Sequence, residues 1–242
     1  MSHDSFMDAP RTLLEAVTHF ADKARCNAFM IAIRWADGKV RCPHCGSDFV
    51  TYLASVDRFK CYAKHPRAQF SLKVGTIFED SPIGLDKWLS AVWLIVNCKN
   101  GISSYEVARD LGVTQKSAWF MMHRVRLALT AGSFDKLSGE VEADETYIGG
   151  KARNMSKYRR TKKGNSQHRS MAGQVAVMGL LDRHGDGQHS KVRTMVIDHA
   201  EKPFHLFRYL DEQAYRSNER KLTDAERFEL ALSQIVGRRV TQ

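Results

Sequence analysis

The chain has 242 residues and a formal net charge of +10, from 37 Lys or Arg against 27 Asp or Glu. That length allows one or two domains with real cores, and the positive balance selects an anionic partner, of which nucleic acid is the commonest. The opening residues, MSHDSFMDAPRTL, hold no apolar stretch of the signal-peptide kind, and the longest apolar run, residues 91–96, is far too short to span a bilayer. Five cysteines, at positions 26, 42, 45, 61 and 98, follow no disulfide-like spacing. The expectation is a cytoplasmic protein with reduced thiols and no membrane contact.

Residues 11–36 read as one amphipathic helix, with Leu14, Val17, Phe20, Phe29, Ile31 and Ile33 on its apolar face. They complete an N-terminal helical segment, 1–38. Asp37-Gly38 then turns the chain into Cys42-Pro43-His44-Cys45-Gly46, two thiolates on a tight turn with a glycine that lets the backbone wrap a metal. Alone, this half-site also describes a redox pair. No βαβ pattern surrounds it, however, and a second pair, Cys61-x-x-x-His65, begins 16 residues after Cys45. The residues between (49–53, then Arg58-Phe59) are strand-like. Residues 39–80 are therefore predicted to form a zinc ribbon in which Cys42, Cys45, Cys61 and His65 hold one structural Zn²⁺. Cys26 and Cys98 fall on apolar faces and read as buried thiols.

Residues 86–98 have a strong helical period, with Trp88, Val92 and Ile95 on one face. Ser103-x-x-Glu106 is a capping-box signature for a second helix, with Val107, Ala108 and Leu111 inward. Leu111-Gly112-Val113 makes a tight turn, and Thr114 caps a third helix that runs to about residue 129. This order is the helix-turn-helix pattern, assigned to residues 83–130. Helix pairs with a glycine turn also occur where no DNA is bound. In the DNA-binding motif the first residues of the last helix reach base edges, here Gln115, Lys116 and Ser117. His123, Arg124 and Arg126 lie further along and suit phosphates. Trp119, Met122 and Val125 read as core.

A polar linker, 132–139, leads into residues 140–151, EVEADETYIGGK. Glu142, Asp144 and Thr146 alternate with Val141 and Ala143, a strand period closed by Gly149-Gly150. A core-facing strand carrying Glu142, Asp144 and Glu145 would need a cation, such as a divalent metal, to meet its carboxylates. An edge strand with solvated acids is the other reading. Residues 151–170 then hold eight basic residues and no acid: Lys151, Arg153, Lys157, Arg159, Arg160, Lys162, Lys163 and Arg169. A basic loop beside an acidic strand suits phosphodiester chemistry, the loop holding the backbone and metals activating water and leaving group. Strands follow at 174–182 and 191–197 around a His184-Gly185-Asp186-Gly187 hairpin, giving an antiparallel meander. Two helices end the chain, the second behind a Thr223-x-x-Glu226 capping box. Asp211, Glu212, Glu219, Asp224, Glu226 and Glu229 read as solvated helix faces.

The ribbon, the helix-turn-helix, the strand DETYIGGK (144–151) and the helix HLFRYLDEQ (205–213), in this order, resemble bacterial insertion-sequence transposases of family fifteen-ninety-five. The resemblance covers nearly the whole chain. It implies a DDE-type, RNase H-like catalytic domain at 139–200, with Asp144 as the first metal-binding carboxylate. It also implies Mg²⁺ or Mn²⁺ wherever the site is complete, double-stranded terminal inverted repeats as substrate, and a nucleoid setting in a bacterial cytoplasm. Homo-oligomers and full-length transposase become candidate partners. DNA contacts are expected from Gln115, Lys116, Ser117, Arg124, Lys151, Arg159, Arg160, Lys162 and Lys163.

This sequence departs from that pattern after the third strand. Only about nine residues separate it from the tail helix within 203–242, and 197–203 reads as a junction from which an internal segment is missing. Asp198 is a poor substitute for a second ligand, since two strands at about 4.8 Å each would leave it roughly 10 Å from Asp144. The predicted fold is mixed α+β: N-terminal helix, zinc ribbon, helix-turn-helix, a truncated RNase H-like three-stranded meander and two C-terminal helices. The predicted function is that of the transposase lineage, with the second and third catalytic ligands absent. The alternatives are an inactive zinc-dependent DNA-binding fragment or inhibitor, and a zinc-ribbon transcription regulator, against which the acidic strand argues.

Overall fold

In the computed structural model, which describes residues 9–129, 140–148, 156–158, 175–183, 189–197 and 206–238, Asp22 breaks the first helical stretch in two. Leu13–Phe20 (α1) closes at Ala21, and Lys23–Arg34 (α2) starts afresh because the Asp22 carboxylate accepts the Ala24 N–H at 2.8 Å. The single helix expected over 11–36 is thus a pair. Ala16 and Phe20 face the core from α1, while Leu14 and Val17 stay exposed.

Val50–Leu53 (β1), Arg58–Cys61 (β2) and Gln69–Phe70 (β3) make a small antiparallel sheet in sequence order. Its interior is little more than Phe59 stacked on Phe70, ring centres 5.6 Å apart. The β1–β2 hairpin leans on α2 through Asp57. That carboxylate meets the Lys23 ammonium at 2.8 Å and accepts the Tyr52 hydroxyl at 2.7 Å. The Arg34 guanidinium donates to the Leu72 carbonyl at 2.5 Å, which fixes the ribbon's exit.

Leu85–Asn97 (α3) follows, and it is apolar nearly all round: Trp88, Leu89, Ala91, Val92, Trp93, Leu94, Ile95 and Val96 are buried. The one-sided face predicted from Trp88, Val92 and Ile95 is too narrow. A helix buried on every side must be wrapped, and α3 packs against α1, α2, Ser104–Leu111 (α4) and Gln115–Ala128 (α5). Two further helices come near the end of the chain, Leu206–Asn218 (α6) and Asp224–Ile235 (α7). The second returns to α3, its Phe228 stacked on Phe29 at 5.8 Å and tilted against Phe20 at 5.7 Å. The chain beyond it pairs with the ribbon's exit, Thr76 bridging Val236 and the Gly237 N–H donating to Gly75. The molecule divides accordingly into Met1–Leu129 with Lys221–Gln242, and Thr130–Arg220. The last helix, read with α6 as one tail, belongs to the first of these units.

The second unit is the meander: Glu140–Ile148 (β4), Val175–Arg183 (β5) and Lys191–Val196 (β6), antiparallel and in sequence order, with α6 packed on β6. Asn218, the last residue of α6, holds the open edge of β6. Its side chain accepts the Val192 N–H at 2.7 Å and donates to the Val192 carbonyl at 3.0 Å. Val177 is buried, and Leu180 and Val196 are half-buried. Glu212, read as solvated, is also buried and pairs with Arg216 one turn along α6. The Gly149-Gly150 pair, the basic residues Lys151, Arg159, Arg160, Lys162 and Lys163, the hairpin at 184–187 and the junction acid Asp198 lie outside the described residues.

Candidate metal centre and nucleic-acid interface

The four ribbon residues predicted to bind metal converge. The thiol of Cys42 stands 3.5 Å from His65 Nε2, and the Cys45 and Cys61 sulfurs are 3.6 Å apart. All four donor atoms lie within 4.8 Å of one another. Ligands on a zinc tetrahedron with Zn–S of about 2.3 Å stand about 3.8 Å apart, so the group has the size of a closed zinc site. Local backbone builds it. Gly46 takes φ 75°, in the left-handed region, so that its N–H reaches the Cys42 carbonyl while the Cys42 N–H reaches Ser47, both at 2.8 Å. Cys61 ends β2, and the next four residues bring His65 back over Cys42. The Ser47 N–H holds the Cys45 thiol below its ordinary pKa, which favours the thiolate that zinc needs. The donor set fits a structural Zn²⁺. Among the described residues it is the one cluster of three or more Cys, His, Asp or Glu able to hold a metal.

The helix pair α4–α5 forms as predicted. Gly112 adopts φ 58° and ψ 45°, and Thr114 caps α5 by accepting the Ser117 N–H at 3.1 Å. The side chains on α5 differ from the forecast. Lys116 is exposed at the open end of the helix. Gln115 instead reaches back to the Ser104 hydroxyl at 2.8 Å, bracing the two helices, and the Ser117 hydroxyl meets that of Thr114 at 2.9 Å. Arg124 faces the interior, where it donates to the carbonyls of Ile77 and Glu79 and stacks on Phe120 at 4.5 Å. His123 and Arg126 are buried, so these three side chains are not placed as a phosphate row. Trp119, read as core, is 39 % exposed, with its ring edge-on to His123 at 4.1 Å. It lies one turn beyond Lys116 on the same face. Its spacing of three from Lys116 was the available signal.

On β4 every residue is exposed, the edge arrangement rather than the core-facing one. Asp144 shares a face with Glu142 and Thr146. Its own Oδ1 accepts the Glu145 N–H at 2.9 Å. Glu142 accepts two bonds from the Nε–Nη2 edge of the Arg183 guanidinium, at 2.6 and 2.9 Å, which holds its carboxyl below the ordinary glutamate pKa. In line with Asp144 across the sheet stand Gly179 and Thr194. No acid occupies either position, and Asp182 belongs to the opposite face because its register partner is Val141. The described carboxylates do not fit a two-cation site, which needs ligands converging on metals about 4 Å apart.

These features define a class: a zinc-ribbon protein with a glycine-turned helix pair and a meander bearing an acidic first strand. Residues 21–63 match the family described as transposase zinc-ribbon domain, and residues 136–202 match the ISXO2-like transposase domain. The chain is also 31% identical over 130 residues to an "Uncharacterized protein in transposable element ISH50" of Halobacterium salinarum. The aligned part is 53% of this chain and 43% of that relative, so the match spans less than half the relative's length. No solved structure matches. The two domain matches and this relative together support an IS1595-type transposase lineage.

Proposed function

We propose that this chain binds duplex DNA at the terminal inverted repeats of its own insertion element through α5, and that it does so without cutting. The observation that carries the reading is the Gly112-turned helix pair, which leaves Lys116 exposed at the start of α5, with part of the Trp119 ring one turn on, in a chain whose flanking segments both match transposase domains. Lys116 would read base edges, and Trp119 would lie against the groove wall or a thymine methyl. The basic residues Lys151, Arg159, Arg160, Lys162 and Lys163 would add sequence-independent phosphate contacts.

Asp144 is, on this reading, the first acid of an unfinished set. The acids that follow it in the matched segment are Glu145, Asp182, Asp186, Asp198 and Glu201. Of these, Glu145 and Asp182 have alternation or register on the other face of the sheet. The domain match ends at residue 202, inside the stretch read as a junction. Docked at element ends in the cytoplasm, on the nucleoid, the protein would compete with full-length transposase or pair with another copy. Among the described residues no helix is long and apolar enough to cross a membrane.

The test is binding of the purified chain to element-end and to random duplexes. Lys116→Ala is expected to weaken element-end binding about 5- to 150-fold and random binding much less. Neutralising Arg159 and Arg160 together should weaken both alike and flatten the salt dependence. Equal losses on both duplexes from Lys116→Ala would remove α5 as the reading helix.

A further inference from the structure

The free end of the zinc ribbon carries two aromatic rings that the fold does not use. Phe49 and Tyr62 continue the β1–β2 ladder one step past the Val50–Cys61 pair, the Tyr62 N–H donating to the Phe49 carbonyl at 3.1 Å. Their rings stand 5.1 Å apart at 48°. Phe49 is 67 % exposed and Tyr62 47 %, whereas Phe59 and Phe70 on the same sheet are buried. Single exposed rings are ordinary, but two adjoining ones at one end of so small a domain form an apolar patch suited to a contact surface. The charge around the pair says what kind. The Lys60 ammonium lies 5.1 Å from the centre of the Tyr62 ring, and Lys64 and Arg67 are exposed in the same loop. Residues 39–74 hold seven Lys or Arg and two Asp, of which Asp57 is already paired with Lys23.

We propose that this end of the ribbon is a stacking platform for unpaired DNA bases. Phe49 supplies the open ring face, Tyr62 backs it from the side, and Lys60 stands where the neighbouring phosphate would pass. Rings interleaved with cations are how proteins hold single strands, because every base has a face to stack while a duplex keeps those faces covered. The proposal rests on the chain being a DNA-binding protein, but not on α5. It gives the ribbon the frayed or opened part of an element end and leaves the duplex to the helix pair.

The experiment uses the full, zinc-loaded chain and a fluorescent oligothymidine, with a random duplex alongside and zinc content measured for each variant. Phe49→Ala is expected to weaken oligothymidine binding about tenfold and leave duplex binding unchanged. Phe49→Trp should bind at least as well as the wild type. Lys60→Ala should lower the salt dependence by about 0.7 in logarithmic slope, one phosphate on a single strand. Lys116→Ala should keep its oligothymidine affinity even as it loses element-end duplex, which separates failure of this proposal from failure of the functional reading. Should Phe49→Ala lose zinc, Phe49→Leu decides in its place, since it keeps apolar bulk without the ring. Wild-type oligothymidine affinity in the zinc-bound ring-less variant overturns the proposal. So does a Phe49-dependent dimer in sedimentation with no single-strand affinity, because the rings would then belong to a second copy.

Discussion

The ribbon and the meander both carry metal-binding residue types, and they dispose of them in opposite ways. In the ribbon, two chain segments 16 residues apart are folded back so that three sulfurs and one imidazole nitrogen fall within 4.8 Å. In the meander, four of the five described strand acids are strung along one exposed edge strand, where alternation sends neighbours to opposite faces and Arg183 takes Glu142. Ligand convergence is a property of the turns that reverse the chain, not of how many ligands it holds. Gly46 and the 61–65 loop provide it in the ribbon, while the meander register sets Gly179 and Thr194 opposite Asp144.

The largest effect should come from breaking the convergent site. Structural zinc contributes about 10–16 kcal/mol of apparent binding energy, all of it tied to folding. The ribbon has little interior beyond the Phe59–Phe70 stack to replace it. Cys61→Ser or removal of zinc by a chelator is expected to abolish amide protection over residues 40–72 while α3–α5 keep theirs, read by hydrogen exchange with elemental analysis. A ribbon still protected without zinc would mean that its packing alone suffices.

Next in size is the contrast in cores. Trp88 is fully buried in the wrapped helix α3, with Phe78 at 4.9 Å and the Ser81 hydroxyl on its indole N–H. Trp88→Ala should cost about 3–5 kcal/mol in urea unfolding of the first unit. Val177→Ala in the meander should cost no more than about 1.5–3 kcal/mol. A reversed order would place the molecule's main core in the meander.

The smallest effect concerns the clamped acid. Because Arg183 lowers the Glu142 pKa, any stabilisation from the pair is fully present above the ordinary glutamate value, about 4.3. It is lost as pH falls through the lowered value. Both groups are half exposed, so the contribution to stability is small and salt-sensitive. Titration of Glu142 followed by NMR should show its midpoint returning to the ordinary range in Arg183→Gln. No change would mean that the ion pair does not form in solution.

Which of these regions could be read beforehand follows from the range of the interactions. The zinc ligands, the Gly112 turn and the caps at Ser103, Thr114 and Thr223 are local chemistry, visible in a few residues of sequence. The strand order was equally legible, since a short meander leaves few alternatives. The Asp22 break was a local signal too, but continuous apolar periodicity masked it. Other features depend on partners far along the chain. Arg124 turns inward because carbonyls at 77 and 79 are there to receive it, and Glu212 is buried with Arg216. Residues 221–242 rejoin the first unit because Phe20 and Phe29 offer Phe228 a stack. Trp119 looked like core because large apolar residues usually are. Its exposure follows from which face of α5 meets α3 and α4.

Binding without cutting is checked by incubating the purified chain with element-end duplex and Mn²⁺ or Mg²⁺, wild type beside Asp144→Asn, reading binding and strand integrity on the same samples. The expected result is element-end binding by both proteins with the strands left whole. Metal-dependent nicking at the element end by the wild type, lost in Asp144→Asn, would contradict it and show that further ligands join Asp144 to complete the site.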